Sequence, residues 1–264
     1  MKTPCKAILI SFLILLSLVS CVSSRKLSYL QYTVDLTNAH VLTTFTPAAY
    51  RMMPYDIIYI NVVTPDPQWS SIFNPSATAA GTSMTQESAA LMGYTIDENG
   101  KIDLPFVGSL KVAGKTLSEI KIDLDSTLKH YVTDASITVK LVNNYISIIG
   151  EVSAPGRYPM TKYRLNVFEA LSMAADLNLY GDRQKVQLIR QSPYGPVIKE
   201  FSLKDRSILT SDYYYIMPND IIYVRPMKAR SFQINSSTYS LILSSIATIL
   251  SSVTTILVLF GYGR

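Results

Sequence analysis

At 264 residues, with 16% charged and 48% hydrophobic side chains, the chain has room for one or two modest domains and a further apolar segment. The formal charge of +5 less Lys2 and Lys6 of a cleaved leader leaves +3, and no basic run resembles a nucleic-acid footprint, so that partner class is set aside. Eighteen tyrosines against one tryptophan suit surfaces that are half apolar and half wet.

Lys2 and Lys6 flank the start of an apolar run at 7–19, too short for a comfortable membrane span. It ends in Leu18-Val19-Ser20-Cys21, which resembles a bacterial lipobox. The expectation is a signal peptide at 1–20, cleavage before Cys21 and acylation of that cysteine. The alternative is an ordinary secretory leader with an incidental cysteine. Cys5 falls inside the leader, so the mature chain keeps one cysteine and forms no intramolecular disulfide. Residues 21–49 read as a lipidated tether with little periodicity.

The first domain is expected at 50–142. Met53-Pro54-Tyr55-Asp56 reads as a turn into a strand at 57–63. Residues 64–85 read as a long mobile loop carrying Trp69 and Phe73, with a role at a pore mouth or subunit contact as the alternative. Glu98-Asn99-Gly100 predicts a hairpin joining strands at 94–97 and 101–104, closed by Pro105-Phe106-Val107-Gly108. Thr116-Leu117-Ser118-Glu119 has the capping-box pattern, and Leu117, Ile120, Leu124, Leu128 and Tyr131 follow on one helical face. Residues 137–141 alternate as a half-buried strand.

The second domain is expected at 143–228, with strands at 146–152, 186–190, 197–203 and 221–225. Pro155-Gly156 reads as a type II turn in which glycine supplies the positive φ. Asn166 caps a helix over 167–175, with Glu169 three residues on. Met53-Pro54-Tyr55-Asp56-Ile57-Ile58-Tyr59-Ile60 recurs as Met217-Pro218-Asn219-Asp220-Ile221-Ile222-Tyr223-Val224. This echo is either an internal repeat or convergence on the same turn-to-strand solution.

These ordered elements carry a resemblance. The hairpin with Asp and Gly, Pro-Phe-Val-Gly, Ala-Gly-Lys-Thr before a helix, and the closing strand resemble the polysaccharide-export domain of bacterial capsule and exopolysaccharide export lipoproteins. The run Gly-Glu-Val to Pro-Gly-Arg-Tyr, a short helix and Val-Gln-Leu-Ile-Arg resemble a soluble-ligand-binding β-grasp domain. Two departures stand out: Tyr55-Asp56 where the family often has Gly-Asp, and Ala174-Ala175-Asp176 where it often has Ala-Gly-Gly. The resemblance covers residues 50–226.

Residues 229–264 close the chain, and 237–260 contain no charged side chain. On a helix, Ser244, Thr248, Ser251 and Thr255 form one stripe, with Ser245 and Ser252 at its edge. Ile242, Ile246, Ile249, Leu250, Val253, Ile256, Leu257 and Phe260 cover the other side. The expectation is a transmembrane helix with a pore-lining hydroxyl face and a lipid-facing aliphatic face. A plain anchor or a dry packing face is the alternative.

No catalytic constellation stands out. His40 and His130 lack metal-ligand spacing, and Gly-x-Ser-x-Gly, P-loop and dinucleotide fingerprints are absent. Asp176 and Asp182 read as turn residues, and Tyr213, Tyr214 and Tyr215 as packing residues. The fold class expected is α+β, with an export domain, one β-grasp-like domain and a C-terminal membrane helix. No enzyme activity, metal or cofactor is expected. The resemblance implies a ring-shaped homo-oligomer, octameric in its best-known members. It implies an outer membrane location, an inner-membrane co-polymerase or tyrosine-kinase-type partner, and capsular or exopolysaccharide as cargo. A non-conducting, membrane-anchored glycan-binding or scaffold lipoprotein is the alternative.

Overall fold

Two separate hydrophobic cores organise the chain. The computed structural model describes residues 27–31, 48–74, 91–132, 134–162 and 164–261. The expected leader, Cys21, His40 and the last three residues lie outside these. So do the side chains at 231–238, 254 and 257–261.

In the first unit β1 (Ile57–Val63) buries Ile58, Ile60 and Val62, because alternate side chains share a face. The expected loop after it begins as a helix, α1 (Pro67–Phe73). Asp66 caps it by accepting from Gln68 N at 2.9 Å, and Pro67 starts it where a missing N–H costs nothing. Phe73 is buried, and Trp69 and Phe73 pack with Phe106. The rest of the expected loop, from 75 onward, lies outside the described residues.

The expected hairpin pairs differently. β2 (Tyr94–Thr95) lies antiparallel to β1, while β3 (Lys101–Leu104) pairs with β4 (Gly108–Lys111). The Asp97–Gly100 turn does form, with Gly100 N donating to Asp97 O at 3.0 Å. It is a corner between sheets rather than a hairpin within one. α2 (Leu117–Leu128) carries the expected capping box between Thr116 and Glu119. Ile120, Leu124 and Leu128 enter the core, whereas Tyr131 lies past the helix and is exposed. β5 (Ser136–Leu141) completes a three-stranded sheet in the order β2-β1-β5.

The second unit begins with β6 (Tyr145–Gly150) and β7 (Gly156–Pro159). β6 stops two residues short of Val152, which makes an isolated bridge to Leu177. Gly156 does not have a positive φ; Gly150 does, at 93°. A Cβ on Gly150 would meet Val224 O at 2.1 Å, so the close approach to the neighbouring strand needs glycine there. β8 (Leu165–Asn166) leads into α3 (Val167–Met173), shorter than expected and held by an Asn166–Glu169 capping box. Ala175 and Asp176 then take left-handed conformations at φ 54° and 68°. The turn after α3 is therefore made by residues that carry side chains.

β9 (Gly181–Ser192) and β10 (Gly195–Phe201) form a long hairpin. A 3₁₀ turn (Arg206–Thr210), β11 (Tyr215–Ile216) and β12 (Ile221–Pro226) follow. The five-stranded sheet runs β10-β9-β12-β6-β7, and β12 is parallel to β6 at its centre. The side chains of α3 share one core with this sheet, and Tyr213 and Tyr214 pack against that core. α4 (Lys228–Gly261) follows β12 directly.

The tether is not wholly loose. Leu30 N donates to Leu203 O at 3.1 Å and Gln31 N to Lys204 O at 2.8 Å, so residues 29–31 lie along the second unit. Tyr29 stands edge-on to Phe168 and donates to Asp176.

Candidate functional site

The two copies of the echoed motif fold the same way. Tyr55 and Asn219 take left-handed conformations at φ 71° and 65°, each before a buried aspartate. Asp56 N donates to Met53 O and Asp220 N to Met217 O, both at 3.2 Å. Each carboxylate reaches back to the turn's first residue: Met53 N donates to Asp56 at 2.9 Å and Met217 N to Asp220 at 2.7 Å.

The turns meet at the junction of the two units. Asn219 Nδ2 donates to Asp56 Oδ1 at 3.3 Å, and Asn143 Nδ2, on the connecting segment, donates to the same oxygen at 3.0 Å. Tyr50 completes the set by donating to Asp56 Oδ2 at 2.8 Å. Burial first, then the charge of Asp56, holds the Tyr50 hydroxyl far above the usual tyrosine range, so it remains a donor. Asp220 is 1% exposed and takes Arg190 through both Nε at 3.0 Å and Nη2 at 2.7 Å. Burial pushes its carboxyl up, while Arg190 and the Met217 N–H pull it back.

Clefts open on either side of this junction. One of about 560 Å³ is lined by Tyr50, Lys140, Asn144, Lys162, Arg164 and Met217. The other, of about 930 Å³, is lined by Arg51, Tyr55, Lys111, Arg190, Ser192 and Asn219. Among the described residues, no group of three or more His, Cys, Asp or Glu side chains could hold a metal ion. His130 is exposed, with Nδ1 3.1 Å from Ser126 O at the end of α2.

β12 connects this junction to the sequence-predicted site. It starts beside Asp220 and ends at Pro226, in register with Gly181. Met227 N then donates to Tyr180 O at 2.8 Å, and Arg230 pairs with Glu151 at 3.4 Å. α4 is thus rooted on the central strand of a sheet. Beyond its root every described side chain from 239 on is exposed, so α4 stands clear of both cores.

Residues of both sequence-predicted faces lie on α4. Ser244, Ser245, Thr248, Ser251, Ser252 and Thr255 are all exposed, and so are Ile242, Ile246, Ile249, Leu250, Val253 and Ile256. The side chains of Leu257 and Phe260 lie outside the description. Thr248 donates to Ser244 O, Ser252 to Thr248 O and Thr255 to Ser251 O, each at 2.8 Å. Ser244 and Ser245 donate one turn back, to Leu241 O and Ile242 O, at 2.9 and 2.8 Å. Each of these five hydroxyls uses its proton inside the helix and offers only oxygen lone pairs outward. Sequence reasoning missed Leu241. It is 70% exposed and stands one turn before Ser244 and Ser245 on the hydroxyl side. Its i+3 and i+4 spacing to those residues was the available signal. Among the described residues, no helix is long and apolar enough to cross a membrane, so the expected C-terminal transmembrane helix is not found there.

Comparison with known proteins finds a likeness for the first unit. Residues 45–142 match the family described as polysaccharide biosynthesis/export protein. These residues are similar to a polysaccharide export domain. The domain's end at 142 coincides with the segment that carries Asn143 into the junction.

Curated relatives bear related names. The EPS I polysaccharide export outer membrane protein EpsA of Ralstonia nicotianae is 30% identical over 105 residues, covering 38% of this chain and 28% of the relative. The capsule polysaccharide export protein BexD of Haemophilus influenzae is 29% identical over 107 residues, covering 37% and 27%. The capsule polysaccharide export outer membrane protein CtrA of Neisseria meningitidis is 24% identical over 136 residues, covering 51% and 34%. The chain spans about a quarter to a third of the length of these relatives. All are named as export proteins and none as an enzyme.

Proposed function

We propose that this chain is a subunit of an outer-membrane translocon that passes capsular or exopolysaccharide from periplasm to cell surface through a ring of α4 helices. The observation that carries the reading is α4. It is rooted on a central strand and exposed on every described side beyond its root, with hydroxyl oxygens along one face and aliphatic side chains along the other. So much exposed aliphatic surface calls for a cover. A ring supplies one by turning the aliphatic face to lipid and the hydroxyl face to a wet lumen. No described helix qualifies as a lone span, and in a ring none has to, because the polar face is removed from lipid.

With helices about 10 Å thick, four in a ring leave a lumen of roughly 4 Å, whereas eight leave roughly 15 Å, enough for an extended glycan. The back-bonded hydroxyls line such a lumen with acceptors, over which sugar hydroxyls exchange with water. Conduction is passive, and an inner-membrane synthesis complex supplies the energy. A lipid on Cys21 holds the other end in the periplasmic leaflet. The parallel β6–β12 pair at the centre of the second sheet supports a β-grasp reading of that unit.

Particle imaging and mass measurement in mild detergent test the reading directly: a monomer removes the pore. In a ring, Thr248→Leu with Ser251→Leu is expected to reduce surface polysaccharide at unchanged protein level. Normal export by that double variant overturns the lumen assignment.

A further inference from the structure

The N-terminal strap and the root of α4 converge on one loop. Tyr29 donates to Asp176 and its ring lies over the Arg183 guanidinium at 5.5 Å. Arg183 is buried among backbone carbonyls: it donates to Gly181 O at 3.1 Å, Asn178 O at 3.3 Å and Leu177 O at 3.4 Å. The same loop holds α4, through Met227 N to Tyr180 O at 2.8 Å and the Arg230 guanidinium 5.5 Å over the Tyr180 ring.

Chain length ties the expected lipid to the same place. Eight residues separate Cys21 from Tyr29, a reach of at most about 28 Å when fully extended. Both expected membrane attachments therefore leave the molecule from the corner at 177–183.

The side chains displayed there fit a lipid surface. Leu179, at the loop's tip, is 57% exposed. Beside it Tyr180 is half-buried, Lys228 is exposed, and Arg230, paired with Glu151, is still 41% exposed at the first turn of α4. An aliphatic tip, an aromatic ring with a polar end and long cationic side chains are what the bilayer interface accepts. The far end of the sheet is a built-in contrast. β9 runs 12 residues from Gly181 to Ser192, on the order of 36 Å, and the hairpin tip at Tyr194 lies just past its end.

We propose that the corner formed by Leu179, Tyr180, Lys228 and Arg230 rests on the phospholipid leaflet and is an interfacial lipid-binding surface of the second unit. The inference rests on the membrane-anchored reading above, and it sets an orientation. The corner lies at the bilayer, the β9–β10 tip and the export domain lie away from it, and β12 rises between them.

The test uses full-length acylated protein in vesicles of phosphatidylethanolamine and phosphatidylglycerol. With Cys21 acylated and the leader removed, an introduced cysteine is the mature chain's one free thiol. Leu179→Cys and Tyr194→Cys are each labelled with an environment-sensitive fluorophore. The expected result is blue-shifted emission at 179, quenched by nitroxide lipids, with emission at 194 unchanged. If the protein is anchored but emission at 179 is neither blue-shifted nor quenched, the corner is not at the interface; the inference falls and the pore reading stands. If acylation and vesicle binding both fail, the two fall together. Equal quenching at both positions overturns the proposed orientation.

Discussion

Asn219 donates to Asp56 across the boundary between the two units, so the second copy of the Met-Pro-x-Asp turn is hydrogen-bonded to the first. Asp56 is 3% exposed and collects donors from Tyr50, Met53, Asn143 and Asn219. Asp56→Ala leaves these buried donors without an acceptor and is expected to cost on the order of 3 kcal/mol. Asn219→Ala removes one long bond and puts alanine in a left-handed conformation, for about 2 kcal/mol. Denaturant midpoints measure both, and a cost for Asp56→Ala below that of Asn219→Ala contradicts the network.

Tyr55 sits in a left-handed backbone conformation that favours glycine. Its side chain is 71% exposed and its φ is 71°. Tyr55→Gly gives up little packing and relieves the strain, so a gain of about 1 kcal/mol is expected. A loss of stability on thermal melting would show that the ring contributes contacts worth more than the strain.

Gly150 and Gly156 separate two readings of the same turn region. Gly150→Ala forces a Cβ onto Val224 O at a positive φ and should cost about 3 kcal/mol. Gly156→Ala meets nothing closer than 3.7 Å and should stay within about 0.5 kcal/mol of the parent. Equal effects of the two in urea titrations would contradict the strand geometry.

Arg190 and Asp220 give a pH dependence. Burial holds the Asp220 carboxyl above its ordinary value when folded. Such a group binds its proton more tightly folded than unfolded. Its contribution is fully present below the unfolded pKa of about 4 and is lost as pH rises through the folded pKa. Arg190→Gln removes the counter-charge and raises the folded pKa further. The variant's deficit is therefore expected to be small near about pH 4 and to grow to roughly 3 kcal/mol at neutral pH. Urea titrations at both pH values measure it, and a pH-independent deficit would show that Arg190 acts through packing alone.

Local features were legible because they are local. Thr116 and Glu119, Asn166 and Glu169, and the alternation of Ile58, Ile60 and Val62 each act within a few residues, and the structure places them as the sequence reads. What failed depended on distant partners. Tyr94 pairs with Ile58 rather than across the Asn-Gly turn, and Gly150 answers to the carbonyl of Val224. The strap at Tyr29 has no periodicity of its own, because its partners Asp176, Phe168 and Arg183 lie more than a hundred residues away. On α4 the faces followed from spacing, but the direction of the hydroxyl protons did not.

β12 has a mechanical consequence. Residues 221–224 are clamped by β9 on one side and β6 on the other, and the register with β9 shifts between Val224 and Pro226. A strand held on both edges takes up little torsion within itself. Torque applied to the first unit at Asp56 is therefore carried along residues 221–224 to the register shift at 224–226, next to the root of α4. Bending is taken up first at that shift, which changes the helix's direction rather than its internal conformation.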